Sequence, residues 1–290
     1  MSELKKVTIL GLGSMGSVLA ALLIKKGHRV TVWNRTKSKE AKLVAIGAHA
    51  AADVAAAVSA SDIIIVSLAT HSDSREVLEN LQVEQELSGK TLIQLSTGTP
   101  SDAKADDKWS NQHGIKLLDG AIMVTPGQMG TPEAFILVAG PPDVYAEAED
   151  VLKTLAINTF YTGEKIHSSS ALDLAFLSYF FSALIGFTHA ARIVEAEGLD
   201  IAAFGSMIQN WSPVIGSIIK ECSTRVAAGH YENPQSTVQT CYFSTELISR
   251  HAQEAGISDL FPAFATSVFK KGMDAGLGSE DGAAVFKILK

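Results

Sequence analysis

The sequence predicts an α/β amino-terminal half, a long connecting helix and an all-helical carboxy-terminal half. Three observations carry this. Short β-branched runs alternate with helical patterns up to Gly163. An apolar stretch from Ser168 to about Glu197 then follows, with Gly186 its one strong breaker. Beyond Ile201 the pattern reads as shorter helices. Alternation of strand and helix implies a mostly parallel sheet.

The strand reading begins with Val7–Leu10, apolar and β-branched. Gly11-Leu12-Gly13-Ser14-Met15-Gly16 turns the chain into a helix over Ser17–Lys26, ended by Gly27. Val30–Trp33 is a second strand, and Lys37–Ile46 a helix stopped by Gly47. Asp62–Leu68 holds the buried-strand run Ile63-Ile64-Ile65-Val66. Thr91–Leu95 is a strand, Pro100–His113 a polar helix, and Lys116–Asp119 and Phe135–Ala139 are later strands. A helix of about 30 residues from Ser168 would be about 45 Å long, a spine between two parts of the molecule. Pro213, Gly229, Pro234, Gly256 and Pro262 divide the remaining helices. The boundary falls near 163–168, giving domains 1–164 and 165–290.

With 290 residues, 47% apolar and 19% charged, the chain reads as globular. A net charge of −7 argues against a general nucleic-acid surface. Cys222 and Cys241 make neither a disulfide framework nor a metal motif, and read as free thiols in a reducing cytoplasm. His71, His113, His189, His230 and His251 show no metal spacing, and His189 reads as packing. The apolar run Val7–Ile24 could pass for a signal peptide or a short membrane span. Its three glycines and the strand after it favour strand, turn and helix.

Gly11-x-Gly13-x-x-Gly16 has a strand before it and a helix after it, the context of a dinucleotide-binding turn. Gly11 permits the turn, Gly13 admits a pyrophosphate and Gly16 lets helix and strand approach. The second strand ends in Asn34-Arg35-Thr36, with Lys39 one turn on. An acid there would read a ribose 2′-hydroxyl; neutral Asn34 with a guanidinium and an ammonium suits a 2′-phosphate, hence NADPH. Leu68 and Thr97, near strand ends where ligands gather, are placed beside the cofactor.

Asp173 is the most informative acid. It lies on an apolar helix, where an ionised carboxylate needs a partner. The partner could be a hydroxyl, the backbone or a cationic substrate. Ser168, Ser169 and Ser170 could cap the helix. Phe176, Leu177, Phe180 and Leu184 follow Asp173 on one face, as a pocket stripe or as plain core. Trp211 and Tyr242 are further pocket candidates, whereas Tyr179 points about 120° away.

The glycine turn and Gly27-His28-Arg29-Val30-Thr31-Val32-Trp33-Asn34-Arg35-Thr36 resemble the β-hydroxyacid dehydrogenases. Gln94–Pro100, Gly120–Pro126 with Gly130–Ala134, and Ser169–Leu177 look more like imine reductases and reductive aminases. The resemblance spans essentially the whole chain. It implies an NADP-binding Rossmann domain, an interdomain helix and a helical domain exchanged within a homodimer. It implies that Asp173 matches the family's acid, as proton donor or iminium anchor, where β-hydroxyacid dehydrogenases carry a lysine. It also implies that Met123, Phe181 and Cys241 line a pocket for a small hydrophobic imine or amine. Phe181 stands where reductive aminases often carry tyrosine, and Cys241 aligns with a pocket glutamine of some members, unless Gln239 does.

Two other functions fit the same fold. A β-hydroxyacid dehydrogenase, reducing an aldehyde or keto acid, would need a cation near the reacting oxygen. Lys165 precedes Asp173 by eight residues, more than two helical turns. A non-catalytic NADPH sensor would lack turnover. No feature of the sequence calls for a metal, a membrane or nucleic acid.

Overall fold

The computed structural model describes residues 4–290. It divides into two compact units, the first ending at Ser178 and the second beginning at Tyr179. The first unit runs β1 (Lys6–Leu10), α1 (Ser14–Lys25), β2 (Arg29–Trp33), α2 (Ala41–Val44), β3 (His49–Ala50), α3 (Val54–Ser59), β4 (Ile63–Val66), α4 (His71–Leu78), α5 (Leu81–Leu87), β5 (Thr91–Gln94), α6 (Pro100–Gln112), β6 (Lys116–Ile122), β7 (Phe135–Ala139), α7 (Pro142–Leu155) and β8 (Asn158–Tyr161). The sheet order is β3-β2-β1-β4-β5-β6-β7-β8. Pairing is parallel from β3 through β6, antiparallel between β6 and β7, and parallel again between β7 and β8. This order reverses direction between β1 and β4, which opens a ligand crevice at the carboxyl ends of those strands.

The β4 run shows why the sheet is double-faced. Side chains of a strand alternate between faces, so a run apolar at every position must be covered on both. Ile63 and Ile65 join a core with Leu19, Leu23, Leu152 and Leu155 of α1 and α7. Ile64 and Val66 join the opposite core with Val58, Leu78 and Leu87.

Several elements differ from the sequence reading. The first helix starts at Ser14, not Ser17, because Gly13 occupies its N-cap position. The helix expected over Lys37–Ile46 is a 3₁₀ turn, Lys37–Lys39, followed by the four-residue α2. Buried Glu40 explains the break: its carboxylate accepts from the Asn34 amide at 3.0 Å and from Lys37 Nζ at 3.1 Å, folding the turn back onto β2. The short β3, the half-exposed edge strand β8 and helices α3, α4, α5 and α7 went unread.

The helix α8 (Ser168–Ala196) crosses the division between units. The second unit adds α9 (Ile201–Ala228), α10 (Val238–Glu254) and α11 (Leu260–Asp274), then a 3₁₀ segment over Gly282–Ile288. Pro213 does not divide α9 as expected. Its ring removes one backbone donor at an exposed position, where water reaches the freed carbonyl. Pro262 lies in the first turn of α11, where an N–H has no intrahelical partner to lose. The core of this unit is small, centred on Tyr231, Val238 and Ala284. Phe180, Phe181, Ile185, Trp211 and Ile218 remain largely exposed.

Candidate active site

The glycine turn is built for close approach. Gly11 has φ of +97°, and a Cβ there would lie 2.4 Å from the Ser67 carbonyl oxygen. A Cβ on Gly16 would lie 2.0 Å from the Gly11 carbonyl oxygen. At Gly13 an added Cβ would meet nothing within 4 Å, so that face is open. No side chain caps the α1 N-terminus. Its free amides and the open Gly13 face fit a pyrophosphate.

Asn34 supports this turn and lines the adjoining cleft. Its Oδ1 accepts from the Leu12 amide at 2.9 Å and its Nδ2 donates to the Thr36 carbonyl at 3.0 Å. Arg35, Thr36 and Lys39 are exposed and line a cleft of about 170 Å³ with Trp33 and Leu68. Neither Arg35 nor Lys39 has an ion-pair partner among the described residues. Asp73 and Glu76 border the same cleft, but the Asp73 carboxylate is engaged by Thr70 at 2.6 Å.

The strand ends after β4 and β5 are sewn together. Ser96 Oγ accepts from the Leu68 amide at 3.0 Å, and Thr70 bridges to Thr97. Thr97 is exposed at this edge. Met123, just past β6, is half-buried and donates its amide to the Phe135 carbonyl at 3.1 Å.

Asp173 is buried on α8, 8% exposed. It makes no hydrogen bond or ion pair with the described residues. Burial alone pushes its carboxyl above the ordinary range. Phe176, one turn on, meets the Phe135 ring edge-on at 6.2 Å, while Leu177 is half-buried. The neighbouring serines do not cap the helix. Ser169 and Ser170 both donate to Asp119 on β6, and Ser168 pairs with the Thr162 hydroxyl at 2.6 Å. Burial pushes Asp119 up, and these serine bonds oppose it.

In the second unit, Phe180 and Phe181 pack their rings 5.3 Å apart, both more than half exposed. Trp211 is exposed on α9. Cys241 lines a cavity of about 390 Å³ with Cys222, Arg225 and Asp281. Tyr242 donates to Glu246. His189 packs against Phe261, its Nε2 with no hydrogen-bond partner among the described residues. No His, Cys, Asp or Glu group among the described residues is arranged to hold a metal.

Comparison with known proteins places this geometry. Residues 6–163 match the NAD-binding domain of 6-phosphogluconate dehydrogenase, and residues 166–290 match the C-terminal domain of NADPH-dependent reductive aminase-like proteins. The imine reductase from Myxococcus stipitatus in complex with NADP+ is 33% identical, covering 98% of this chain and 100% of that one, with a TM-score of 0.92. The chain belongs to the imine reductase and reductive aminase family. A reductive aminase from Aspergillus terreus in complex with NADPH and ethyl levulinate is 30% identical over 99% of this chain and 100% of that one, at a TM-score of 0.92. The NADPH-dependent reductive aminase of Aspergillus oryzae is 28% identical over 99% of this chain and 97% of its own.

The sequence reading of this imine reductase-family chain missed one cluster. Buried His71 sits with its Nδ1 2.7 Å from Asp106 and its Nε2 3.0 Å from the Ser96 carbonyl oxygen. Asp106 also accepts from Arg75 at 3.0 Å. The Thr70-x-x-Asp73 capping box marks the start of α4 and is visible in the sequence. The partners of His71 come from two other elements, α6 and the β5–α6 turn, and no spacing announces them.

The glycine turn yields a contrast. Gly11→Ala should lower stability in urea unfolding by at least roughly 1–3 kcal/mol of backbone strain, to which the clash with the Ser67 carbonyl oxygen adds. Gly13→Ala should leave the unfolding midpoint nearly unchanged yet weaken NADPH binding measured by fluorescence titration. Equal stability losses in the two variants would contradict the assignment of these roles.

Proposed function

We propose that this chain reduces C=N bonds of small hydrophobic imines or iminium ions with NADPH, and that Asp173 acts on the substrate nitrogen. The observation that carries this is a buried carboxyl with no hydrogen-bond or ion-pair partner among the described residues, one to two turns into α8. A charge so placed needs a counterion, and a protonated imine supplies one. The similarity to NADP+- and NADPH-bound family members supports the reading.

Bound NADPH supplies a hydride to the imine carbon. The α1 N-terminus, with Gly11, Leu12, Gly13, Ser14, Met15 and Gly16, holds the pyrophosphate. Arg35, Thr36 and Lys39 hold the 2′-phosphate, with Arg35 offering paired N–H donors. Leu68 borders the 2′-phosphate cleft, and Thr97 stands beside the nicotinamide. Met123, Phe176, Leu177, Phe180, Phe181, Trp211, Cys241 and Tyr242 provide the pocket lining. Asp173 then has two possible tasks. As an anion it holds the iminium and favours its charged form. As an acid, which its raised pKa favours, it gives the nitrogen a proton. A β-keto acid or aldehyde substrate would instead need a cation beside the reacting oxygen, and none pairs with Asp173 among the described residues. Turnover of a cyclic imine against a panel of β-keto acids and aldehydes tests the choice.

The functional protein is a homodimer with exchanged helical domains, divided into residues 1–164 and 165–290, and it works in the cytoplasm. The helix Ser168–Ala196 is long and apolar enough to cross a membrane. Its first turns, however, carry Ser169 and Ser170 bonded to Asp119, and buried Asp173. A second copy suits its apolar faces better than lipid does.

Arg35→Ala should lose roughly 1.5–3 kcal/mol of NADPH binding and hardly change NADH binding; equal losses would show that Arg35 does not read the phosphate. Asp173→Ala should lower kcat for a cyclic imine by roughly 100-fold or more, with NADPH affinity barely moved. Asp173→Asn separates the two tasks. A permanently charged iminium should be reduced almost normally by that variant if Asp173 is a proton donor, and poorly if it is an anchor. Full activity in both folded variants would make Asp173 a structural carboxyl. Light scattering after gel filtration should give a dimer at micromolar concentration; a folded, active monomer would rule out the exchange.

A further inference from the structure

Histidine 71 has no task in the reaction as described, yet it is 1% exposed and sits between both halves of the cofactor edge. It opens α4, directly after the bridge from Thr70 to Thr97. Its ring lies under the β5–α6 turn: a Cβ at Gly98 would fall 2.2 Å from His71 Cδ2. That glycine is required so that the turn can rest on the ring.

Both ring nitrogens face oxygens that only accept. Nδ1 meets the Asp106 carboxylate and Nε2 meets the Ser96 carbonyl. A neutral imidazole has one N–H and would leave one of these buried acceptors unpaired. The facing charges also favour a cation. Asp119 Oδ1 lies 3.7 Å from Nε2, and Asp102 belongs to the same cluster through Arg75. Arg75 is the opposing cation, bonded to Asp106 and Asp102.

The cluster extends to the site at both ends. Asp102 accepts from the Thr99 amide and hydroxyl at 3.0 and 2.8 Å. Asp119 accepts from Ser169 and Ser170, one turn before Asp173. We propose that His71 is a positioning residue for hydride transfer: a buried, doubly protonated imidazolium that fixes the Ser96–Thr99 turn and faces the Asp119 anchor of α8. This rests on the NADPH-dependent reductase reading given above.

A pH dependence follows. Burial opposes the charge on His71, but the Asp106 hydrogen bond and the Asp106, Asp119 and Asp102 charges outweigh it and raise its pKa. A raised histidine pKa contributes stability that is complete below the unfolded value and is lost as pH rises through the folded one. The latch therefore loosens as the pH rises past the ordinary histidine range.

The test uses the full chain labelled with ¹⁵N-histidine, with His71 assigned by loss of its signal in His71→Gln. At pH 7 both ring nitrogens should carry protons, as their two acceptors require, and one should be lost only as the pH rises above the ordinary histidine range. A neutral single tautomer at pH 7 overturns the proposal. With NADPH and a permanently charged iminium, which has no proton of its own to lose, kcat should fall along the same titration. Asp102→Asn removes one facing charge and should move the NMR titration and the kcat limb down together. His71→Gln should lower kcat on the order of tenfold, keep the Kd for NADPH within about twofold, and abolish the limb. An unchanged limb in either variant overturns the proposal. Should His71→Gln fail to fold, the wild-type spectra, assigned by elimination against the other histidines, and Asp102→Asn still decide it. Absence of imine turnover by the wild type would instead sink the functional reading, while the spectra still report the state of His71.

Discussion

The contact on which the arrangement rests is Asp119 receiving the hydroxyls of Ser169 and Ser170. Asp119 stands in the middle of β6, in register with Gln94 of β5 and Ala139 of β7. The serines stand in the first turn of a 29-residue helix. One buried carboxyl therefore fixes where the helix leaves the sheet. Everything placed on its first turns, Asp173 included, inherits that registration. Loss of either serine would leave a buried acceptor short of a donor, a cost of about 1–3 kcal/mol.

A second registration acts on the cofactor side. Asn34 sends its amide group to the glycine turn and to Thr36, while its backbone N–H is taken by Glu40. The residue at the end of β2 thus organises the binding edge without itself presenting a charge to it. The neighbours Arg35 and Lys39 stay free to meet an anion. Buried scaffold residues and exposed basic residues alternate within six positions of chain.

Much of this was legible in the sequence, and the limits have physical causes. The β4 run and the glycine turn could be read because local pattern decides them. The long helix could be read because few breakers interrupt it. Asp173 stood out because an acid on an apolar face is expensive anywhere. The failures share another feature: their determinants are non-local. The Glu40 carboxylate that breaks the Lys37–Ile46 helix acts through β2. Ser169 and Ser170 look like caps until Asp119, some fifty positions earlier, is seen to claim them. His71 looked like one of several scattered histidines because Asp106 and Ser96 reach it from 35 and 25 residues away. Pro213 misled for the opposite reason: the local rule applies, but at an exposed position the freed carbonyl meets solvent and the break costs the helix little.

The small core around Tyr231, Val238 and Ala284 has a further implication. So few buried apolar side chains, Ala252 with these three, are a small core for four long helical segments that must offset the loss of chain entropy. If a second copy covers the exposed aromatic and aliphatic side chains, the folding of this unit becomes a bimolecular equilibrium. Its melting temperature would then climb with protein concentration. In a cell, the amount of chain present would set the fraction that is folded, so expression level would govern both how much protein there is and how much of it is whole.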